Sequence, residues 1–281
     1  MSRKLDLMKT DELVNLFLNE EENTIKLLKK EKYKITKVIT ETKKRLDRNG
    51  RVIYIGAGTS GRLGLLDAVE TTPTFSTNSF KGIIAGGDSA FIKAKEGAED
   101  NIKSGISDLK KIKLKKNDVV IGISASGETP YTVSALQYAK KCRALTIAIT
   151  SNSKSTMCKI ALYNISPEIR NEIIDGSSRL QSGTAQKILL NMISSISMIK
   201  SGKVYGNLMI DVQPTNKKLV QRATRIISIV CKVPLNKAKT LFINADKSPK
   251  LAIVMFLRNC NIKKAESLLK KAKYDLRKII S

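Results

Sequence analysis

The chain has 281 residues, of which 42% are apolar and 27% charged, enough apolar side chain to bury a large core and too much for a disordered segment. Its 51 Lys and Arg outnumber 25 Asp and Glu for a formal charge of +26, but they run through the whole chain, and aromatics are only 5% with no Trp, which speaks against nucleic acid as the partner. Histidine is absent, which excludes Ser-His-Asp and Cys-His nucleophile systems and the usual zinc sites and leaves acid–base work to carboxylates, Lys, Tyr or Cys.

The first seventeen residues, MSRKLDLMKTDELVNLF, mix charges into their apolar positions and show no secretory core. Up to residue 49 the rhythm is helical: Leu13, Leu16, Phe17, Ile25, Leu28, Ile35, Val38 and Ile39 recur at spacings of three and four until Asn49-Gly50 breaks the pattern. Val52–Ile55 is then a short apolar run ending in glycine, the texture of a strand buried on both faces. Gly82–Gly86, Val119–Ile123 and Leu145–Ile149 repeat it, and Ala161–Ile165 is a fifth candidate. Helical patterns over 62–70, 91–109 and 131–141 separate them, so the spacing predicts an α/β fold with a doubly wound parallel sheet and ligands at the C-terminal strand ends. Residues 177–202 read as one long helix, apolar on nearly every side over 188–199 and suited to burial against another subunit. From residue 216 the pattern is helical again, broken near Pro234, Pro249 and Asn261, with no internal repeat evident. The expected organisation is a helical segment over 1–49, a ligand-binding domain over 50–213 and a small C-terminal helical domain over 214–281. No apolar run reaches the roughly 18 residues a membrane helix needs, and four scattered cysteines without a CxxC point to a reducing cytoplasm.

Two strand-to-helix loops carry the chemistry. Gly56-Ala57-Gly58-Thr59-Ser60-Gly61-Arg62 follows the first strand, and Ser124-Ala125-Ser126-Gly127-Glu128-Thr129-Pro130 follows the third. Each joins glycine, which permits close backbone approach, to hydroxyls at a helix start, where N–H groups and the dipole favour an anion. Gly58, Thr59, Ser60, Ser124, Ser126, Gly127 and Thr129 are the candidate phosphate ligands; the alternative is that both loops are only turns and N-caps. The first loop also fits G-x-G-x-x-G, the dinucleotide fingerprint. Hydroxyls at Thr59 and Ser60 suit a compact phosphate better than a pyrophosphate, and a second hydroxyl-rich loop is superfluous for a dinucleotide.

These loops resemble those of the sugar isomerase (SIS) superfamily, which hold sugar phosphates in Ser- and Thr-rich loops. More narrowly, YIGAGTSGRLGLLDAVETTPTF (54–75), IIAGG with EGAEDN (83–101), ISASGETPY (123–131), GSSRLQSGTAQKILLNMIS (176–194) and GKVYGNLMIDV (202–212) resemble the N-acetylmuramic acid 6-phosphate etherase family in the correct order over about 160 residues. The resemblance implies a lyase that removes D-lactate from C3 of the sugar, giving N-acetylglucosamine 6-phosphate, with no cofactor and no metal, as a cytoplasmic homodimer.

The family's two catalytic glutamates map onto Glu70 and Glu99. The chemistry needs a base for the C2 proton, which is acidic only in the open-chain aldehyde, and an acid for the departing ether oxygen. Placed near a helix end, Glu70 meets the negative pole of the dipole, which suits it as the acid, with Glu99 as the base. Without the resemblance Glu70 reads as a solvated helix-end carboxylate, and Glu99 as a surface pair with Lys103. Glu96, one turn earlier, is a sugar-hydroxyl ligand or simply exposed. Arg179 is the candidate cation for the phosphate or the lactyl carboxylate, the alternative being a surface Arg at a helix start.

The chain departs from the family pattern in places: Thr71-Thr72-Pro73 stands where Cys-Pro-Pro is common, Glu128 replaces a frequent Arg and Gln181 a frequent Lys. The competing functions are a non-catalytic sugar-phosphate sensor, an aldose–ketose isomerase and a dehydrogenase.

Overall fold

The computed structural model describes residues 4–214 and 216–280. In chain order it comprises α1 (Thr10–Lys30), α2 (Lys32–Leu46), β1 (Val52–Gly56), α3 (Gly58–Phe75), β2 (Phe80–Ile84), α4 (Ser89–Ile92), α5 (Ile102–Lys111), β3 (Val119–Ile123), α6 (Pro130–Lys141), β4 (Leu145–Ile149), α7 (Thr156–Ile160), β5 (Tyr163–Ile165) and α8 (Gln181–Lys200). A two-residue-per-strand hairpin, β6 (Val204–Tyr205) and β7 (Leu208–Met209), precedes α9 (Lys217–Cys231), α10 (Leu235–Asn244), α11 (Pro249–Leu257), α12 (Ile262–Lys271) and α13 (Arg277–Ile280). The chain divides into two compact units, one running to Ala68 and again over Ser79–Ile193, the other combining Val69–Asn78 with the residues from Ser194 onward.

In the first unit the five parallel strands lie in the order β2-β1-β3-β4-β5. Connections wind one way from β1 to β2 and the other way from β3 to β5, so the topological switch point falls between β1 and β3. Every residue of β1, β3 and β4 is buried, which is why these strands read as unbroken apolar runs rather than alternating ones. One face, with Ile53, Ile55 and Val120, packs against Tyr131, Ala135, Leu136 and Ala139 of α6 and Leu109 of α5. On fully buried Tyr54 the hydroxyl donates to Asp67 at 3.0 Å; burial first, then the Asp67 charge, pushes this phenol well above its ordinary range.

The strand starts are tied by one buried carboxylate. Asp118 accepts from Arg51 N at 2.9 Å, Arg51 Nη2 at 2.6 Å and Lys115 N at 2.8 Å. Burial pushes this carboxyl up, but the Arg51 and Lys115 bonds outweigh it and hold it below the usual range. Asp118→Asn is therefore expected to destabilise the fold by about 3 kcal/mol, since Arg51 loses its counter-charge. The folded carboxyl lies below its unfolded value, so this contribution is present above about pH 4 and is lost as pH falls through the folded value. Urea unfolding of both proteins at pH 7 and pH 3 checks it: the gap narrows at pH 3.

The second unit has its own core, in which Ala223, Ile227, Ala238, Phe242, Ile253 and Leu269 meet. It contains a repeat that the sequence conceals. From Leu235 to Ile262 the offset is 27 residues, and at this offset α10 and α12 are both ten residues long. Asp246 and Lys247 have positive φ (49° and 58°), as do their counterparts Lys273 and Tyr274 (52° and 61°). Lys247 N donates to Phe242 O and Tyr274 N to Leu269 O, the same bond in each copy. Only Lys237/Lys264, Ala238/Ala265, Leu241/Leu268 and Ala245/Ala272 are identical over the helices and the start of the loop, too few to show as a sequence repeat. Lys250, 3% exposed, joins the copies: its ammonium donates to Asp211 Oδ2 at 2.9 Å and to the Gly202 and Tyr274 carbonyls.

Candidate active site

The Gly-rich loops hang from neighbouring strands, because β1 and β3 pair in register from Val52↔Val119 to Gly56↔Ile123. Both therefore emerge at the C-terminal edge of the sheet, at the switch point. Gly58 has φ +53°, and the helix begins there, which places Thr59 and Ser60 in the first turn of α3. The N–H groups of Thr59 and Ser60 have no acceptor among the described residues, and neither do those of Tyr131 and Thr132 in the first turn of α6.

The second loop is organised by its own hydroxyls. Ser124 Oγ lies 2.8 Å from Thr129 Oγ1 and 3.3 Å from Ser126 Oγ, and accepts from Gly127 N at 3.1 Å. Gly127 has φ +71°, and a Cβ there would fall 2.4 Å from Ser155 Oγ and 2.7 Å from Thr150 Oγ1. Only glycine fits, and Thr150 and Ser155, which the sequence reading did not single out, are what hold it. Glu128 points its carboxylate at the start of α7; bonds from the Thr156 hydroxyl and N–H hold it below the usual range.

Beside the first loop lies a cleft of ≈ 170 Å³, with Gly58, Arg62, Lys95, Glu96 and Glu99 on its walls. Glu99 is not on a long helix. The stretch expected as one helix over 91–109 is split: Lys93 is extended, Gly97 has φ +69°, and Asn101 caps α5 by accepting from Ser104 N at 3.0 Å. A single 3₁₀ turn, Ala98–Asp100, remains and carries Glu99 to the cleft, with no hydrogen bond or ion pair to any described residue. The surface pair with Lys103 is not formed.

Glu70 is placed differently. Its helix does not end there but runs through Pro73 to Phe75, so Glu70 lies before the last turn, where the dipole acts most strongly. It is outside the cleft wall, about 18 Å along the axis of α3 from Gly58 at 1.5 Å per residue. Arg179 is exposed in the turn before α8. The start of α8, next in the chain, adjoins Thr59, since a Cβ on Gly183 would meet Thr59 Cγ2 at 3.7 Å. Gln181 is absorbed locally: its N–H donates to Glu172 at 2.9 Å and its amide to Glu20 at 3.3 Å. Among the described residues no group of three or more Cys, Asp or Glu is placed to hold a metal, and no helix is long and apolar enough to cross a membrane.

Comparison with known proteins assigns the class first. Residues 103–195 match the SIS domain family, and residues 34–140 match the glucokinase regulatory protein N-terminal SIS domain. The fold is shared with phosphoheptose isomerase from Neisseria gonorrhoeae (TM-score 0.53, 15% identity, 67% of this chain and 98% of that one). It is shared also with a protein of Escherichia coli CFT073 solved as a ligand complex (TM-score 0.50, 20% identity, 71% and 97%). The five-stranded parallel sheet and these matches make the chain an SIS-domain protein.

Closer relatives narrow the class. N-acetylmuramic acid 6-phosphate etherase of Francisella philomiragia subsp. philomiragia is 49% identical over 272 residues, 96% of this chain and 92% of that protein. Those of Oceanobacillus iheyensis (48% over 276 residues, 98% and 94%) and Clostridium beijerinckii (45% over 271 residues, 96% and 89%) match along the same length. The chain belongs to the N-acetylmuramic acid 6-phosphate etherase family.

Proposed function

We propose that this chain cleaves the D-lactyl ether of N-acetylmuramic acid 6-phosphate, yielding N-acetylglucosamine 6-phosphate and D-lactate. The supporting observation is the adjacency of an unpaired carboxylate, Glu99, to a helix start whose N–H groups lack acceptors. The phosphate takes the N–H groups at the starts of α3 and α6 with the hydroxyls of Thr59, Ser60, Ser124, Ser126 and Thr129, and Arg179 adds charge beside the first loop. Gly58 and Gly127 let the backbone approach, and Glu96 takes a sugar hydroxyl. Glu99 removes the proton at C2 of the open-chain aldehyde, the C2–C3 double bond forms, and the C3–O bond breaks as an acid protonates the lactate oxygen. Water then adds its hydroxyl to C3 and a proton to C2.

Glu70 is the acid, supplied by a second copy of the chain. Five single bonds of about 1.5 Å each join the phosphorus to C3, well short of the 18 Å or so that separate Glu70 from Gly58 along one α3. A homodimer in which the partner subunit's Glu70 reaches the cleft meets the chemical need. Four unpaired cysteines accord with a cytoplasmic site of action. Incubating the purified protein with N-acetylmuramic acid 6-phosphate and assaying D-lactate tests the reading; binding without release selects the sugar-phosphate sensor instead.

A further inference from the structure

The substrate just proposed carries two anions, a phosphate and the lactyl carboxylate, and the lactyl group is what separates it from its product. The two phosphate loops account for one anion. For the other, we propose that Arg62 is the specificity residue that recognises the lactyl carboxylate, an inference that rests on the substrate assigned above.

Arg62 lies one turn into α3, past the phosphate loop, and forms part of the wall of the Glu99 cleft. Its Nε donates to the Phe91 carbonyl at 3.0 Å, which fixes the plane of the guanidinium. Its two Nη atoms bond to no described residue, so the fork that grips a carboxylate is presented without a protein acceptor. The other cation of the cleft, Lys95, is already engaged: its ammonium donates to the Gly86 carbonyl at 2.7 Å. The remaining wall is small and apolar, formed by Ala57, Ala85, Ala90, Ala94 and Ala98. A guanidinium fork beside an alanine-lined space matches a three-carbon acid with a methyl branch. It also explains why Glu99 and a cation share a cleft without an ion pair between them: each faces a different part of one ligand.

Calorimetry on Glu99→Gln, which holds the ligand without turnover, tests the assignment with N-acetylmuramic acid 6-phosphate, its lactyl carboxamide and N-acetylglucosamine 6-phosphate. The expected result is a preference of about 100-fold for the lactyl acid over the other two ligands. Adding Arg62→Gln abolishes that preference and changes the affinity for N-acetylglucosamine 6-phosphate less than twofold, and Arg62→Lys keeps part of it. Equal losses for all three ligands would reduce Arg62 to a clasp on Phe91 and overturn the proposal, as would an unchanged preference. Preference for the lactyl acid without D-lactate release by the unsubstituted protein leaves Arg62 supported and overturns the lyase reading alone.

Discussion

Replacing Glu99 by glutamine is expected to lower D-lactate release about a thousandfold while leaving sugar-phosphate affinity within a few-fold of the original. The magnitude is that of a lost general base, which contributes 10²- to 10⁴-fold in rate. The substitution is close to isosteric, and Glu99 makes no hydrogen bond or ion pair to any described residue that the fold would forfeit. Stability and binding are therefore left nearly intact. Glutamine cannot take the C2 proton, so no enolate forms and the ether bond has no route to break. Single-turnover D-lactate measurements on both proteins, with calorimetry against N-acetylglucosamine 6-phosphate, separate rate from binding. A Glu99→Gln protein that retained more than a tenth of the rate would remove Glu99 from the mechanism.

The second large effect is a gain. Glu70→Gln and Glu99→Gln homodimers are each expected to be inactive, and unfolding and refolding them together in equal amounts is expected to recover about a quarter of the original activity. Half of the random dimers are mixed. In each mixed dimer one cleft combines an intact Glu99 with the partner subunit's intact Glu70, and the other has lost both. If the two carboxylates served one site within a single chain, every chain would carry one defect and mixing would recover nothing. Helix α3 is continuous from Gly58 to Phe75, so its rise sets the distance from the first loop to Glu70.

Much of this was legible in the residues. Strands buried on both faces must be apolar throughout, and β1, β3 and β4 stand where the unbroken runs predict them. The hydroxyl-rich loops were legible as strand-to-helix turns because Gly and small polar residues suit a helix start. The helix over 91–109 was not, because its apolar spacing survives three local interruptions at Lys93, Gly97 and Asn101, each a backbone event that a periodicity average passes over. The helix expected over 62–70 runs from Gly58 to Phe75 and passes through Pro73, a residue that more often ends a helix. Helix α8 is shorter than the expected 177–202, and within the single chain it keeps Ile199 47% exposed. Arg62 carried no signal of its own; its meaning depends on Phe91, twenty-nine residues away, which only the fold brings near. The departures Glu128 and Gln181 looked like changes of charge at the site, but the Glu128 carboxylate accepts from Thr156 N and the Gln181 N–H and amide nitrogen donate to Glu172 and Glu20.

The pairing of β1 with β3 also dictates when during folding the protein becomes able to bind. Val52 and Val119 are distant in sequence, and parallel pairing across such a separation closes a long loop before any contact rewards it, so it belongs to the slow part of the reaction. Neither loop has its neighbour until that step is complete. On the proposed function, newly made chain is blind to sugar phosphate until the sheet has closed, and a ligand that binds only the finished pair of loops holds the equilibrium on the folded side by mass action.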